Sequence, residues 1–288
     1  GRRPRRRVRK PGPADRAIRG AFFIAAPASV AGCGEAGAGE DEHPDRVVGL
    51  GVGSSVEALI AHGKQAGLRL SGAGWYDSVY NGNTDNSGFA GGAYPNHQPD
   101  NRFPSTTRRL HGRQIELRDA FVFGRVELGD APLTFRLGSH ALVWGESLFF
   151  AGNAIAGAQG PFDVSRLVAD PTAQAKEFTL PVPQISGQLQ ITPEVSLGAY
   201  YQFRWVQSRL PAAGSYFSAS DTNVDGAERL WLVPGVFSVP RTDDMKPSNN
   251  GQFGVQLRWR LEDTDLGFYA LRFHDKYFQQ VMRLAGPA

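Results

Sequence analysis

From position 185 to 205 the chain alternates, residue by residue, between apolar and polar side chains. Ile185, Gly187, Leu189 and Ile191 fall on one face, and Ser186, Gln188, Gln190 and Thr192 on the other. After a tight Pro193-Glu194 turn, Leu197, Ala199, Tyr201, Phe203 and Trp205 stand opposite Ser196, Gly198, Tyr200, Gln202 and Arg204. The stretch 252–261 repeats the pattern, with Phe253, Val255, Leu257, Trp259 and Leu261 against Gln252, Gly254, Gln256, Arg258 and Arg260. Side chains of a strand point to opposite faces in turn, so this period predicts strands with one apolar and one polar face. Weaker alternation predicts further strands at 68–76, 117–128, 133–143 and 266–273. The seven strands each approach the ~9–11 residues of a tilted membrane-spanning strand.

The connections alternate long and short. Residues 76 to 117 form a long polar excursion, followed by the turn Gly129-Asp130-Ala131-Pro132. Residues 143 to 182 and 206 to 251 are again long. The turns after them, Pro193-Glu194 and Glu262-Asp263-Thr264-Asp265, are short. Long loops at one end and short turns at the other are the plan of an up-and-down outer-membrane barrel. A soluble sandwich spaces its turns more evenly. Trp75, Tyr76, Trp144, Trp205, Trp259 and Tyr269 lie near strand ends, where interfacial girdles of a barrel are expected. In lipid every backbone N–H and C=O must be paired, and a closed barrel of strands achieves that. The expected fold is therefore all-β, an antiparallel up-and-down transmembrane β-barrel. Alternation by itself also fits a soluble sandwich whose apolar face points inward.

The first 65 residues are unlike the rest. The chain has 288 residues and a formal charge of +3, but nine of its 31 basic residues and one of its 28 acids fall in the first twenty. The remainder carries 22 basic and 27 acidic residues, a net of −5. A nucleic-acid partner would rest on that leader alone, and none is expected. The basic stretch runs into AFFIAAPASVAG, residues 21–32, then Cys33. This order describes an export signal, and Val30-Ala31-Gly32-Cys33 looks like a bacterial lipobox whose Cys would be lipidated. Residues 47–63 predict a strand, a Gly-rich turn and a short helix capped by Ser54 or Ser55 and stopped by Gly63. Gly49, Gly51 and Gly53 lack the alternating strand–helix context of a dinucleotide site. Residues 1–65 are thus expected to be a leader of uncertain authenticity, and 66–288 the barrel region. A single cysteine excludes a disulfide framework, the six His show no paired metal spacing, and no metal or cofactor is expected.

Five segments carry a specific resemblance: SGAGWYDSVYNG (71–82), residues 117–153, PFDVSRL (161–167), residues 175–221 and GFYALRFHDK (267–276). Together they resemble the proteobacterial outer-membrane proteins known as the domain of unknown function thirteen hundred and two family, over roughly residues 67–288. The family is usually about twice this length, so the resemblance implies that this chain is the N-terminal half of an incomplete barrel. It often carries RLGRQ where this chain has RLGSH, residues 136–140. The resemblance implies a Gram-negative outer membrane, contact with its lipid and lipopolysaccharide, a lipoprotein-like partner and an exporter of hydrophobic substrates. The expected function is a channel or transport component for hydrophobic or amphipathic small molecules. The alternative is a structural or adhesion barrel that binds a partner through its long loops.

Arg136, Arg204, Arg258 and Arg260 fall on the polar faces of their strands. A column of lumen arginines would attract anionic groups and set selectivity; pairing with acids or with lipopolysaccharide phosphates is the plainer use. The third connection carries Glu146, Asp163, Lys176 and Glu177 and is expected either to fold inward as a gate or to pack on the rim. Ser147 lies outside any G-x-S-x-G elbow, and no enzyme is expected. Residues 81–88 resemble a calcium loop in composition, but Gly92 stands where its distal acid should be.

Overall fold

The computed structural model describes residues 18–27, 51–62, 66–84, 101–145, 154–169, 178–218, 220–233 and 236–282. Among these run the strands β1 (Ile18–Pro27), β2 (Gly51–His62), β3 (Ala66–Asp77), β4 (Arg113–Leu128), β5 (Ala131–His140) and β6 (Val182–Gln190). They are followed by β7 (Val195–Gln202), β8 (Arg229–Val233), β9 (Phe237–Pro240), β10 (Gln252–Leu261) and β11 (Thr264–Phe273). Nine form one sheet in the order β1-β11-β10-β7-β6-β5-β4-β3-β2, while β8 and β9 make a separate hairpin. Every neighbouring pair in the large sheet is antiparallel. From β2 to β11 the sheet is a meander, with the β8–β9 hairpin lying inside its third long connection. Short helices punctuate the loops: α1 (Ser78–Asn81), α2 (Ser105–Thr107) running into a π-turn over Arg108–Gly112, α3 (Ala154–Gln159) and α4 (Val164–Ala169). None is long and apolar enough to cross a membrane, which says nothing of the strands.

All seven expected strands are present, with adjusted ends. The turn at 129–130 is tighter than four residues, because Ala131 and Pro132 already pair with Leu128 and Glu127. Gly129 makes that turn at φ +66, a conformation open to glycine. The last hairpin closes likewise over Glu262-Asp263, with Glu262 at φ +44, and Thr264 and Asp265 join the ladder. Between β6 and β7 the Thr192 hydroxyl accepts from the Glu194 and Val195 N–H groups, a side chain closing its own turn. Gly138 is required for space: a Cβ there would overlap the Ala120 carbonyl oxygen and the Phe121 backbone, and its φ is +131.

Two expectations for the leader change. Residues 51–62 are strand β2, not a helix capped by Ser54 or Ser55. All twelve pair with β3; a ladder along an otherwise open sheet edge outweighs a local helix signal that contains Gly51 and Gly53. Residues 18–27, which span the junction of the basic stretch and the apolar region of the expected export signal, are strand β1, paired along β11. Cys33 lies outside the described residues.

The sheet is rolled. Arg69 on β3 and Gln256 on β10 are five strand spacings apart, which is ~24 Å in a flat sheet. Both line a single cavity of about 490 Å³. β1 and β2 are the two edges of the sheet.

The two faces are distributed in the opposite way to a soluble sandwich. On β7, Ser196, Gly198, Tyr200 and Gln202 are buried while Leu197, Ala199 and Tyr201 are exposed. β10 buries Gln252, Gly254 and Gln256 and exposes Phe253 and Val255. β6 buries Gln184 and Ser186 and exposes Ile185. Gln184, Gln202 and Gln252 are 0% exposed, against 41% for Leu197 and 45% for Val255. The polar face is the inside of the roll.

Candidate functional site

The described part of the long connection between β5 and β6 folds inward and covers the long-loop end of that polar face. Ile155 and Ala158 of α3 pack with Trp144 against Tyr200, Tyr269 and Leu271 of β7 and β11. The Trp144 and Tyr200 rings meet edge to face at 5.0 Å, a favoured aromatic geometry. A second cluster joins Ala156, Phe162 and Phe178 within the connection itself.

Because the face beneath this plug is polar, its groups need partners. Gln184, Gln202 and Gln252 are direct neighbours in register across β6, β7 and β10. The Gln202 amide donates to the Gln159 carbonyl at 2.6 Å and to Gln184 Oε1 at 3.4 Å. Gln184 donates to the His140 carbonyl at 2.8 Å, and Gln159 Oε1 accepts from the Trp144 N–H at 2.5 Å. Lys276 turns inward just after β11 and donates to Gln202 Oε1 at 2.9 Å and Gln252 Oε1 at 3.1 Å. Burial pushes its amine down to about 8, partly opposed by the neighbouring Asp275 carboxylate.

An ion-pair chain ties the far side of the plug. Glu116 on β4 meets Arg118 at 3.0 Å and Arg209 at 2.6 Å, and Arg209 reaches Asp163 at 3.4 Å. Asp163 also accepts from the Arg166 N–H in the first turn of α4. The other long loops hold each other. Thr107 donates to the Ala213 carbonyl, and the Ala212 N–H donates to His111 Nε2 at 3.0 Å. That bond needs a neutral imidazole, and burial holds the His111 pKa below its ordinary value, opposed by Asp163 and Asp77.

Under the plug lies the 490 Å³ cavity, roofed by Leu142 and Trp144. Its wall combines Phe121 and Phe123 with Arg69, Arg125, Arg136 and, across the roll, Gln256. Arg136 sits 5.6 Å over the Phe121 ring, within cation–π reach. His140 Nε2 is 2.8 Å from Ser186 Oγ and its Nδ1 is 3.1 Å from the Gly138 carbonyl. A carbonyl only accepts, so Nδ1 carries the proton and Ser186 donates to Nε2. Arg125, Thr134 and Gln188 are exposed toward the short-turn end.

Of the four arginines expected in a lumen column, Arg136 alone lines the cavity. Arg204 is exposed beyond the end of β7. Arg258 and Arg260 are exposed on the inner face near the short turns, Arg260 paired with Asp265 at 3.1 Å. Arg69 and Arg125 join Arg136 in the cavity lining, on three adjacent strands. Of the gate residues, Asp163 is buried in the plug anchor; Glu146, Lys176 and Glu177 lie outside the described residues. The aromatic girdle is corrected in part. Trp144 and Tyr269 are buried in the plug core, and Trp75 donates to the Leu110 carbonyl at 2.9 Å. Trp205 donates to the Asp275 carbonyl, while Tyr76 and Trp259 are exposed. Four of the six indole and phenol rings thus serve loop and plug packing, because strand ends here meet folded loops. Sequence reasoning missed Lys276, which has no local pattern around it. It also missed the glutamine ladder, although each Gln already stood on the polar face.

A family model described as protein of unknown function (DUF1302) matches residues 52–284, and the chain belongs to that family. The match begins inside β2, so the family covers more of the N-terminal side than residues 67 onward. No curated protein and no solved structure matches the chain.

Proposed function

We propose that this family member is a transmembrane β-barrel of the Gram-negative outer membrane that passes hydrophobic or amphipathic small molecules. The observation that carries the proposal is the inverted sheet. Ile185, Leu197, Tyr201, Val255 and Trp259 are exposed on one face while Gln184, Gln202 and Gln252 are fully buried on the other. A contiguous apolar outer face is a liability in water and a match for acyl chains. The inward fold of the third connection supports passage over adhesion, since a loop inside the roll meets traffic rather than a partner outside. In such barrels the short turns face the periplasm, which puts the cavity mouth there and the plug toward the cell exterior. Outer-membrane lipid and lipopolysaccharide are the surrounding partners; a lipoprotein and an exporter of hydrophobic substrates are those the family resemblance suggests.

Val255→Arg tests the outer face. Facing lipid near mid-strand, the new charge costs about 2–4 kcal/mol and depresses folding into phosphatidylcholine vesicles. On a solvated sheet the same change stays within about 0.5 kcal/mol. Unchanged vesicle folding of Val255→Arg, or absence of conductance and solute flux in planar bilayers, refutes the reading.

A further inference from the structure

The cavity wall is divided by chemistry. Phe121, Phe123, Leu142 and Trp144 supply an apolar half, and Arg69, Arg125 and Arg136 a cationic half, with no carboxylate in the lining. Two of these charges are answered from outside the lining: Arg69 meets Asp119 at 3.5 Å and Arg125 meets Glu127 at 2.7 Å. Arg136 has no carboxylate partner among the described residues; its guanidinium lies over the Phe121 ring. Directly opposite it in the ladder stands Ser186, whose hydroxyl proton is committed to His140. Ser186 therefore neither repels an anion with charge nor competes for the guanidinium as an ion. Gln256, buried on the facing side of the cavity, adds an amide able to donate to an oxyanion.

An unpaired guanidinium beside aromatic rings, in a cavity of a size typical for small molecules, selects a ligand with an anionic head and an apolar body. We infer that the cavity is a binding site for soluble anionic amphipaths, carboxylates or sulfates on a hydrocarbon or ring body, with Arg136 as the head-group residue and Phe121, Phe123 and Trp144 against the body. The inference rests on the barrel reading for its access route and adds the charge class of the solute. Access from the short-turn end follows from the exposure of Arg125, Thr134 and Gln188 there.

The test is calorimetric titration of the full chain, folded in neutral maltoside detergent, with octanoate, octanol, inorganic phosphate and octylammonium, each corrected for partition into empty micelles. Octanoate is expected to bind saturably, and octanol and phosphate at least about tenfold more weakly, since each lacks one half of the match. Arg136→Gln should weaken octanoate about tenfold or more, the loss of one charge-assisted contact, and leave octanol unchanged. Arg136→Lys should retain most of the affinity. Gln256→Glu should abolish octanoate binding and admit octylammonium, which keeps the inference testable if Arg136→Gln fails to fold. Equal binding of octanoate and octanol, insensitivity to Arg136→Gln, or phosphate binding as tightly as octanoate overturns the inference. So does competition by phosphatidylglycerol in mixed micelles, which would make the occupant a membrane lipid. All of these outcomes leave the outer-face test with Val255→Arg untouched, so failure of the site and failure of the barrel reading are separable.

Discussion

Lys276 offers a sharp test of the interior, because its surroundings fit one protonation state better than the other. The side chain is 0% exposed, and its Nζ has two acceptors, Gln202 Oε1 and Gln252 Oε1. A neutral amine has two N–H donors and satisfies both. The ammonium has three donors and leaves a charge among amides. Burial accordingly lowers the pKa from 10.5 to about 8, a difference of about 3 kcal/mol against the charged form. The unfolded lysine holds its proton up to about 10.5, so between about 8 and 10.5 the unfolded state binds more protons than the folded one. Stability then rises with pH through that window and is flat, for this group, below it. From pH 7 to pH 10 the gain is about 2.5 kcal/mol. The assay is urea unfolding in neutral detergent at pH 7, 8.5 and 10, comparing the native chain with Lys276→Met. The variant has no titrating amine, so the difference between the two curves removes every other group. Its absolute stability at pH 7 combines relief of a buried charge with two orphaned amide oxygens, which act in opposite directions; the pH slope is free of that ambiguity. Parallel curves from pH 7 to pH 10 would refute the buried environment of Lys276.

Two further predictions concern the loops. Neutral His111 accepts from the Ala212 N–H, and its pKa is lowered by burial. The folded state therefore binds fewer protons, and this tie is complete above the unfolded value near 6.5 and is lost as pH falls below it. The protection factor of the Ala212 N–H, its exchange rate relative to an unstructured amide at the same pH, should fall between pH 7 and pH 5, and His111→Gln should flatten that dependence; equal protection at both pH values counts against the tie. Glu116→Gln leaves Arg118 and Arg209 facing each other without the carboxylate between them, a loss of about 3 kcal/mol for a mostly buried pair. Trypsin should then cut the plug at Arg166 faster than in the native chain, with conductance raised in planar bilayers, and unchanged cleavage would show that the anchor lies elsewhere.

The strands of the meander were legible because alternation is a local signal. Each of β6, β7 and β10 carries its own pattern over eight to ten residues, and the short turns hold the proline, glycine and acidic residues that turn chemistry favours. Strand β2 was not legible. Its residues suit a helix or a strand, and what decides is the twelve-residue ladder with the open edge of β3, which a local propensity signal does not contain. The arginines show the same limit at the site. Period two places Arg136 and Arg258 on one face correctly, but membership of a cavity depends on how far the sheet rolls and on where a loop of more than thirty residues comes to rest. Arg69 was overlooked for that reason, since its strand is weakly patterned and its relation to Gln256 exists only in the rolled sheet.

Alternation also leaves open which face is inside, and there the interior itself supplies the argument. A roll lined with polar side chains has no hydrophobic drive of its own to stay filled, so the plug must be held by groups the lumen already offers. The apolar exceptions on the inner face, Tyr200, Tyr269 and Leu271, lie together under α3. Around them the amides of the ladder end on the plug, on Lys276, on a neighbouring strand and, for the Gln252 donor, on the Asn249 carbonyl. Satisfied buried amides rigidify, whereas a partly satisfied set is costly. The same sheet face thus splits along its length into a sealed half, where apolar patches and amides fix the plug, and an open half, where Arg136 keeps a charge uncommitted. The division follows strand position: Gln184, Gln202 and Gln252 at the long-loop ends are fully buried, while Thr134, Arg136 and Gln188 toward the short turns are exposed. On the proposed channel reading, a solute entering from the short-turn side would meet its binding groups before it meets the barrier, and displacement of the plug, rather than entry, would be the step that the glutamine ladder and the Glu116 anchor control.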